Sequence, residues 1–393
     1  MTSAADVRGV CMLTADIDSP TGGVQAQSMR LLRELALRGI AALVCTRNYH
    51  HLARNEVRDG IRIHRSPVLR RSFRVSNSAT YLADAVSWLV RNRAAYDVIH
   101  CQQMFGPATA GLVAKPLVKK PVIVRVSSTG ELGEVADLRR MAFSSARIRQ
   151  LQSVDHWVAL TKLMASEIAS LGIAPERITV IPNAAVVQAE SASNPETRAK
   201  YRHKLGLDYE RIVIYSGRLS SEKNLDVLLR AWAQVSSRMA GAHLLFAGAG
   251  GAFRNVEQQL RSLQNDLGIA GSVHFLGHVD NVTAYLLASD VFVLPTSTEG
   301  MSNALLEAMA AGNAIVTTNI PANREVVSDN VEALLVAPRD ADGLADAIVR
   351  CLQSQELAAM LGAAARQRAQ ARHSVQAMTD AYLSIYRSVL RRH

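Results

Sequence analysis

The chain has 393 residues, is 49% hydrophobic with 5% aromatics, and carries a formal net charge of +10. This length predicts two domains, each with its own core, and no apolar run is long enough to span a bilayer. The N-terminus lacks a signal-peptide pattern, and four scattered cysteines (Cys11, Cys45, Cys101, Cys351) without a C-x-x-C pair point to buried thiols in a reducing cytosol, not to a zinc site.

In chain order, the first half alternates strand and helix patterns. GVCMLTA (9–15) is a strand, and QSMRLLRELALRG is a helix that stops at Gly39. The strands IAALVCT (40–46), IRIHR (61–65), DVIHC (97–101), PVIVRV (121–126), HWVAL (156–160) and ITVIP (178–182) follow, mostly with helical stretches between them. Such alternation predicts a parallel sheet covered by helices on both faces. Residues 185–208 lose strand character, and SASNPETRAK reads as a surface linker. A second series, RIVIYSG, HLLFAGAG, VHFLG, VFVLP, AIVTT and ALLVAP, spans 209–373. In 374–393, Val375, Met378, Tyr382, Ile385 and Val389 make one apolar stripe, read as a core-facing helix. The expected fold class is α/β, with two Rossmann-like, doubly wound parallel-sheet domains facing across a cleft.

The charge is uneven. Up to residue 184 there are 24 Lys and Arg against 14 Asp and Glu; beyond it, 20 against 20. The whole basic excess therefore sits in the first half, and the halves should meet different partners.

The most informative stretch is STEGMSNALLEAMAAG at 297–312. It follows a buried-type strand, VFVLP, and predicts a helix from Asn303 to Gly312 with Ser302 as N-cap. Helical geometry sets Glu307 opposite Leu305 and Met309, among Asn303, Ala304, Ala310 and Ala311. A lone Glu there would be an ordinary polar face. Glu299, however, sits just past the carboxyl end of the strand, where open α/β sheets bind ligands. Carboxylates can accept from sugar hydroxyls, while free helix N–H groups hold phosphate.

Four other segments bear on the chemistry. In YSGRLSSEKN (215–224), Arg218 and Lys223 follow a strand end, as a phosphate-binding pair would. TGG at 21–23 puts Gly22 and Gly23 between strand and helix, and GAGG at 248–251 has a similar setting; each is weak alone. No G-x-x-x-x-G-K-[ST] motif is present, which argues against a P-loop NTPase. Asp16-Ile17-Asp18 spells D-x-D, a metal-binding spacing in some transferases, but short matches arise by chance and the pair is read as loop acids.

Taken together these residues resemble the retaining glycosyltransferases of the GT-B fold, in the large family-four group (glycosyl transferases group 1), over nearly the whole chain. The most specific part is E-x7-E, Glu299 to Glu307. GRLSSEKN, TGGV, FLGHVDN (275–281), REVV (324–327) and IPN (181–183) support it. The resemblance implies that Glu299 contacts the donor sugar, Glu307 holds the ribose hydroxyls, and Arg218 and Lys223 neutralise the diphosphate leaving group. It implies backbone contacts from Gly300, Met301, Ser302 and Asn303. It further implies that residues 1–184 take the acceptor, that 209–373 bind a nucleotide diphosphate sugar, and that 374–393 cross back onto the first domain. Where many members have His-Gly after the fifth strand, with the His near the donor sugar, this chain has Ser127 and Ser128, which are the substrate-binding candidates at that place, and Asn183-Ala184 stands in place of a common Asn-Gly.

The activity expected is a metal-independent hexosyltransferase without cofactor, moving sugar to a glycan or lipid-linked acceptor in cell-surface glycan or glycolipid synthesis. A catalytically silent nucleotide- or glycan-binding module, or a GT-B sugar phosphorylase or epimerase, is the alternative. The basic clusters RRSFR (Arg70, Arg71, Arg74) and LRRMAFSSARIRQ (Arg139, Arg140, Arg147, Arg149), with Phe73 and Phe143, suggest an anionic membrane surface and a cytoplasmic protein peripheral to it. Nucleic acid is not expected, since aromatics are sparse and no known module appears.

Overall fold

The computed structural model describes residues 7–19, 22–68, 74–130, 133–251 and 254–393. Arg70, Arg71, Phe73 and Thr21 of the sequence reading lie outside these. The chain divides into two compact units, Met1–Ala184 with Val375–His393, and Ala185–Ser374.

The first unit holds one sheet of β1 (Gly9–Leu13), β2 (Ala41–Arg47), β3 (Asn55–Arg58), β4 (Ile61–Ser66), β5 (Val98–Gln102), β6 (Val122–Arg125), β7 (His156–Ala159) and β8 (Ile178–Val180). Their order is β3-β4-β2-β1-β5-β6-β7-β8. Every described pairing is parallel except β3 with β4. β1 and β5 are buried at every residue, which is why they read as unbroken apolar runs. β3 escapes a reading based on apolar patterns because NEVR is polar; it is an antiparallel edge strand.

Helix Gly23–Leu37 buries Leu31, Leu32 and Leu35. Helix Val375–Leu390 adds Met378, Tyr382, Ile385, Tyr386 and Val389 to the core that contains Val10, Met12 and Val44. Each such side chain contributes roughly 1.5–3 kcal/mol on full burial. This helix is also pinned by a polar contact, 2.8 Å between Tyr386 Oη and His100 Nδ1. Burial, helped by Arg125, depresses the His100 pKa to about 3, so the ring is neutral at ordinary pH.

The second unit has a six-stranded, all-parallel sheet of β9 (Arg211–Ser216), β10 (Ala242–Ala247), β11 (Val273–Gly277), β12 (Val291–Leu294), β13 (Ala314–Thr318) and β14 (Leu334–Val336), ordered β11-β10-β9-β12-β13-β14. The linker reading of 185–208 needs correction. The segment belongs to the second unit, and Pro195–Leu205 is a helix with Asn194 capping Glu196 N and Gly206 left-handed at its end. Its Arg198 and Arg202 bind the two oxygens of Asp290 at 2.9 and 2.6 Å. That helix buries only Thr197, so no apolar stripe announces it.

Both sheets reverse direction once. The chain builds outward from β1 through β2 and returns to β5 on its other side; it builds from β9 through β10 and β11 and returns to β12. A doubly wound sheet opens a ligand crevice beyond the carboxyl ends of the strands at such a reversal.

Candidate functional site

In the second unit the reversal lies between β9 and β12, which are hydrogen-bonded neighbours. Arg218 and Lys223 leave the end of β9, and Glu299 leaves the end of β12. Adjacent strands thus deliver both cations and the carboxylate. The two loops are stitched together by Ser297 N–H and Thr296 Oγ1, which donate to the Glu222 carbonyl at 3.2 and 3.1 Å, and by Asn224 Nδ2, which donates to the Pro295 carbonyl at 3.2 Å. Lys223 Nζ forms an ion pair with Glu299 Oε1, both side chains being mostly enclosed. A Cβ on Gly248 would meet the Gly217 carbonyl at 1.9 Å, so the ends of β9 and β10 can be this close only with glycine there.

Arg218 is more open, 48% exposed, and reaches Glu222 Oε1 at 3.3 Å. Sequence reasoning overlooked Glu222, although it stands in the SEK of the quoted motif. Burial opposes its ionisation, but the Ser220 hydroxyl at 2.7 Å and the nearby Arg218 and Lys223 hold its carboxyl below the usual range. Each predicted phosphate-binding cation therefore has a carboxylate partner in this structure: Glu222 for Arg218 and Glu299 for Lys223.

Helix Asn303–Ala311 follows. Ser302 caps it by accepting from Leu305 N at 3.3 Å, and Gly312 ends it at φ 80°. Leu305 and Met309 are buried, whereas Asn303, Ala304 and Glu307 are half-buried on the opposite face. Ala310 and Ala311, expected on that open face, are instead buried. Their carbonyls accept from Arg366 at 2.9 Å and from Ala192 N at 2.7 Å. Gly300 and Met301 are half-buried in the turn between Glu299 and the helix.

The first unit holds the other predicted site residues. Gly22 is the N-cap of the helix that starts at Gly23, and its carbonyl accepts from Ala26 N at 3.0 Å. Ser127 is committed elsewhere: its N–H and hydroxyl both donate to Glu134 Oε1, at 2.8 and 2.7 Å. Glu134 Oε2 accepts from Met104 N–H at 2.7 Å, tying the loop after β5 to the loop after β6. Glu134 is buried, and that burial raises its pKa despite these donors. Ser128 beside it is half-buried. Sequence reasoning also missed Glu134, which acts across thirty residues.

Asp18 of the D-x-D is spent on structure. It receives two bonds from the fully buried Arg65, at 2.7 and 2.8 Å, and one from Arg58 at 3.2 Å. Burial acts to raise its pKa, and the two guanidinium groups outweigh that and lower it. Asp16 lies 3.2 Å from His50.

Residues 22–184 match the profile of the "Glycosyl transferase 4-like domain", and residues 210–354 match that of "Glycosyl transferases group 1". A D-inositol 3-phosphate glycosyltransferase of Saccharomonospora viridis is 31% identical over 325 residues, 80% of this chain and 70% of that protein. The chain is a group 1 glycosyltransferase. A 2-deoxystreptamine N-acetyl-D-glucosaminyltransferase of Niallia circulans is 24% identical over 93% of this chain and 98% of its own. Among solved structures, Anabaena Alr3699/HepE in complex with UDP-glucose superposes with a TM-score of 0.79 at 18% identity, covering 98% of this chain and 100% of that one. WaaG, a glycosyltransferase involved in lipopolysaccharide biosynthesis, gives 0.74 at 18% identity over 96% and 99%. The two parallel-sheet α/β units thus form the GT-B fold of this glycosyltransferase.

Proposed function

We propose that this glycosyltransferase moves a sugar, a hexose, from a nucleotide diphosphate sugar to an acceptor hydroxyl with retention at the anomeric carbon. The observation that carries the reading is the grouping of Arg218, Lys223 and Glu299 on the neighbouring strand ends β9 and β12. In the reaction the bond from C1 to the diphosphate oxygen breaks, the acceptor oxygen bonds to C1 on the same face, and the acceptor proton passes to the departing phosphate. Negative charge grows on the diphosphate as that bond lengthens. Fixed cations aimed there stabilise the transition state without reorganisation.

The Lys223–Glu299 pair gives that chemistry a specific form. Lys223 can turn from Glu299 to the diphosphate, which releases Glu299 to accept from the sugar hydroxyls. Glu307, one helical turn further on, takes the ribose. No metal or cofactor enters this scheme. Support for the donor class comes from the Anabaena structures, which hold UDP and UDP-glucose, and from a GDP-mannose-dependent mannosyltransferase of Mycobacterium tuberculosis that is 33% identical over 183 residues, 44% of this chain and 46% of that protein.

Thermal-shift measurement against UDP-, GDP-, ADP- and dTDP-sugars tests the proposal. One donor class should raise the melting temperature and release free nucleotide diphosphate only when acceptor is added. Stabilisation by none of them, or turnover requiring inorganic phosphate in place of an acceptor, would overturn it, the latter in favour of a phosphorylase.

We place the acceptor side of this reaction at an anionic membrane surface on the cytoplasmic face. Among the described residues no helix is long and apolar enough to cross a membrane. What supports surface attachment is the turn between helices Glu134–Arg140 and Ser144–Leu151. There Phe143 is 85% exposed, and exposed Arg140 and Arg149 flank it. A basic residue near an anionic leaflet contributes about 1 kcal/mol, and an inserted Phe roughly 1.5–3 kcal/mol. Cosedimentation with anionic vesicles should be strong at low salt, weaken at high salt, and drop further in Phe143→Ser. Protein remaining in the supernatant at low salt would mean a soluble acceptor.

A further inference from the structure

The first unit contains a cavity of about 480 Å3, within the range of roughly 300–1,000 Å3 usual for small-molecule sites. Its place in the fold is specific. Ala15 follows β1, Arg47 closes β2, and Gln103 and Gly106 follow β5, so the cavity lies beyond the strand ends where this sheet reverses. The reversal in the second unit carries paired charges. The cavity in the first unit is different.

Two guanidinium groups, Arg47 and Arg147, line it, and no carboxylate does among the described residues. Other arginines of the unit fall into two groups, those with neutral partners, such as Arg125 on Gln102 and Asn183, and those paired with a carboxylate. Arg8, Arg54, Arg58 and Arg65 each have an Asp or Glu within ion-pair distance. Arg147 makes no ion pair among the described residues. Arg47 is held in position by neutral groups: its guanidinium lies 4.7 Å above the Tyr81 ring and donates to Tyr49 Oη at 2.9 Å. Its Nε is enclosed without a hydrogen-bond partner. A cation kept rigid, partly desolvated and without a counter-charge costs stability unless a ligand supplies the anion.

The backbone of the wall points the same way. Gly106, at φ 51°, is the N-cap of helix Pro107–Val118, and the cavity reaches Thr109 in its first turn, where N–H groups lack intrahelical partners. Gln103 sits at φ 91°, a conformation costly for a residue with a Cβ. Two hydrogen bonds hold this loop, from Gln103 N to the Arg125 carbonyl at 2.9 Å and from Met104 N to Glu134 at 2.7 Å. Glu134 is thus a positioning residue for the cavity wall.

We infer that this cavity binds the phosphate group of a small phosphorylated acceptor, with Arg47, Arg147, the Thr109 hydroxyl and the first N–H groups of helix Pro107–Val118 as its partners. Phosphate, with several oxygens around one centre, can engage two guanidinium groups and a helix terminus together. Half-buried Phe105 in the wall supplies apolar surface for the carbon skeleton that bears the phosphate. Calling this ligand an acceptor rests on the transferase reading, but its binding does not.

Isothermal titration calorimetry on the full chain, with inorganic phosphate, glycerol phosphate and glycerol as probes, provides the test. Both phosphates should bind saturably and glycerol should not. Arg147→Gln should weaken phosphate by about tenfold, the loss of one charged hydrogen-bonding group. Arg147 lies on the exposed side of its helix, so this variant folds; Arg47→Gln is the second variant. Lys223→Ala removes any binding of phosphate at the donor site and should leave the Arg147-dependent binding event unchanged. Phosphate affinity lost in Lys223→Ala and kept in Arg147→Gln would put the anion in the second unit and overturn the inference. Displacement of glycerol phosphate by phosphatidylglycerol vesicles would assign the phosphate to a lipid headgroup, and no displacement to a free phosphorylated polyol or sugar; either upholds the site. If phosphate binds through Arg147 while no nucleotide sugar stabilises the chain, the cavity stands and the transferase scheme falls.

Discussion

Lys223→Ala is expected to lower turnover by roughly 100- to 1,000-fold, the scale of deleting one preorganised donor to a developing oxyanion. Arg218→Ala should act in the same direction. The structure explains why neither loss should be a folding defect. Arg218 is half-exposed, and its ion pair with Glu222 joins neighbours in the chain. Lys223 is more enclosed, but the loops it joins keep the bonds from Ser297, Thr296 and Asn224. Turnover should therefore fall far more than stability, and the urea midpoint of Arg218→Ala should move little. Removing Lys223 also leaves Glu299 without its cation, so Lys223→Ala with Glu299→Gln should recover some stability and no activity. Activity should survive EDTA in wild type and variants alike. Near-normal rates in both single variants would refute the diphosphate assignment.

Much of this site was legible because its parts are local. The apolar run VFVLP, the Ser302 cap and the Gly312 stop lie within one segment, and the structure has β12, helix Asn303–Ala311 and a left-handed Gly312 there. What sequence could not provide is tertiary pairing. Glu134 matters because the loops after β5 and β6 are neighbours, and β5 precedes β6 by some twenty residues of intervening helix and turn. Asp18 reads as a loop acid, and its partner Arg65, 47 residues away, becomes visible only in the fold. Ser127 stood where a sugar contact was expected, and its hydroxyl points at Glu134 instead. Ala310 and Ala311 were assigned by rotation about one helix, but Arg366 and Ala192 occupy that side. Helix Pro195–Leu205 is a different failure: its Asn-Pro start and Gly206 stop were present, and the missing apolar face outweighed them.

The two glutamates of the E-x7-E motif should separate by what they do to binding and to rate. Glu307 lies on the half-buried face of helix Asn303–Ala311, a little over one turn from its capped N-terminus, while Arg218 and Lys223 pair with Glu222 and Glu299. Its proposed partner is the ribose, which is bound alike before and during reaction. Glu307→Ala should accordingly weaken free nucleotide diphosphate by ~1.5–3 kcal/mol, the value of a hydrogen bond to a charged group, and leave the rate at saturation nearly unchanged. Glu299 is in the opposite position. It leaves the strand end at the reversal and is bonded to Lys223, so its environment changes when that lysine moves to the diphosphate. Glu299→Ala should lower the saturated rate by about 100-fold, since it removes a carboxylate beside the reacting sugar. Nucleotide affinity should hold or rise in this variant, because Lys223 no longer has to leave a carboxylate to meet the phosphates. Calorimetry with the nucleotide alone, set beside turnover at saturating donor, separates the two. Equal nucleotide affinity in wild type and Glu307→Ala would remove the ribose role. A Glu299→Ala variant that loses affinity but keeps its rate would reverse the two assignments, making Glu299 the nucleotide anchor.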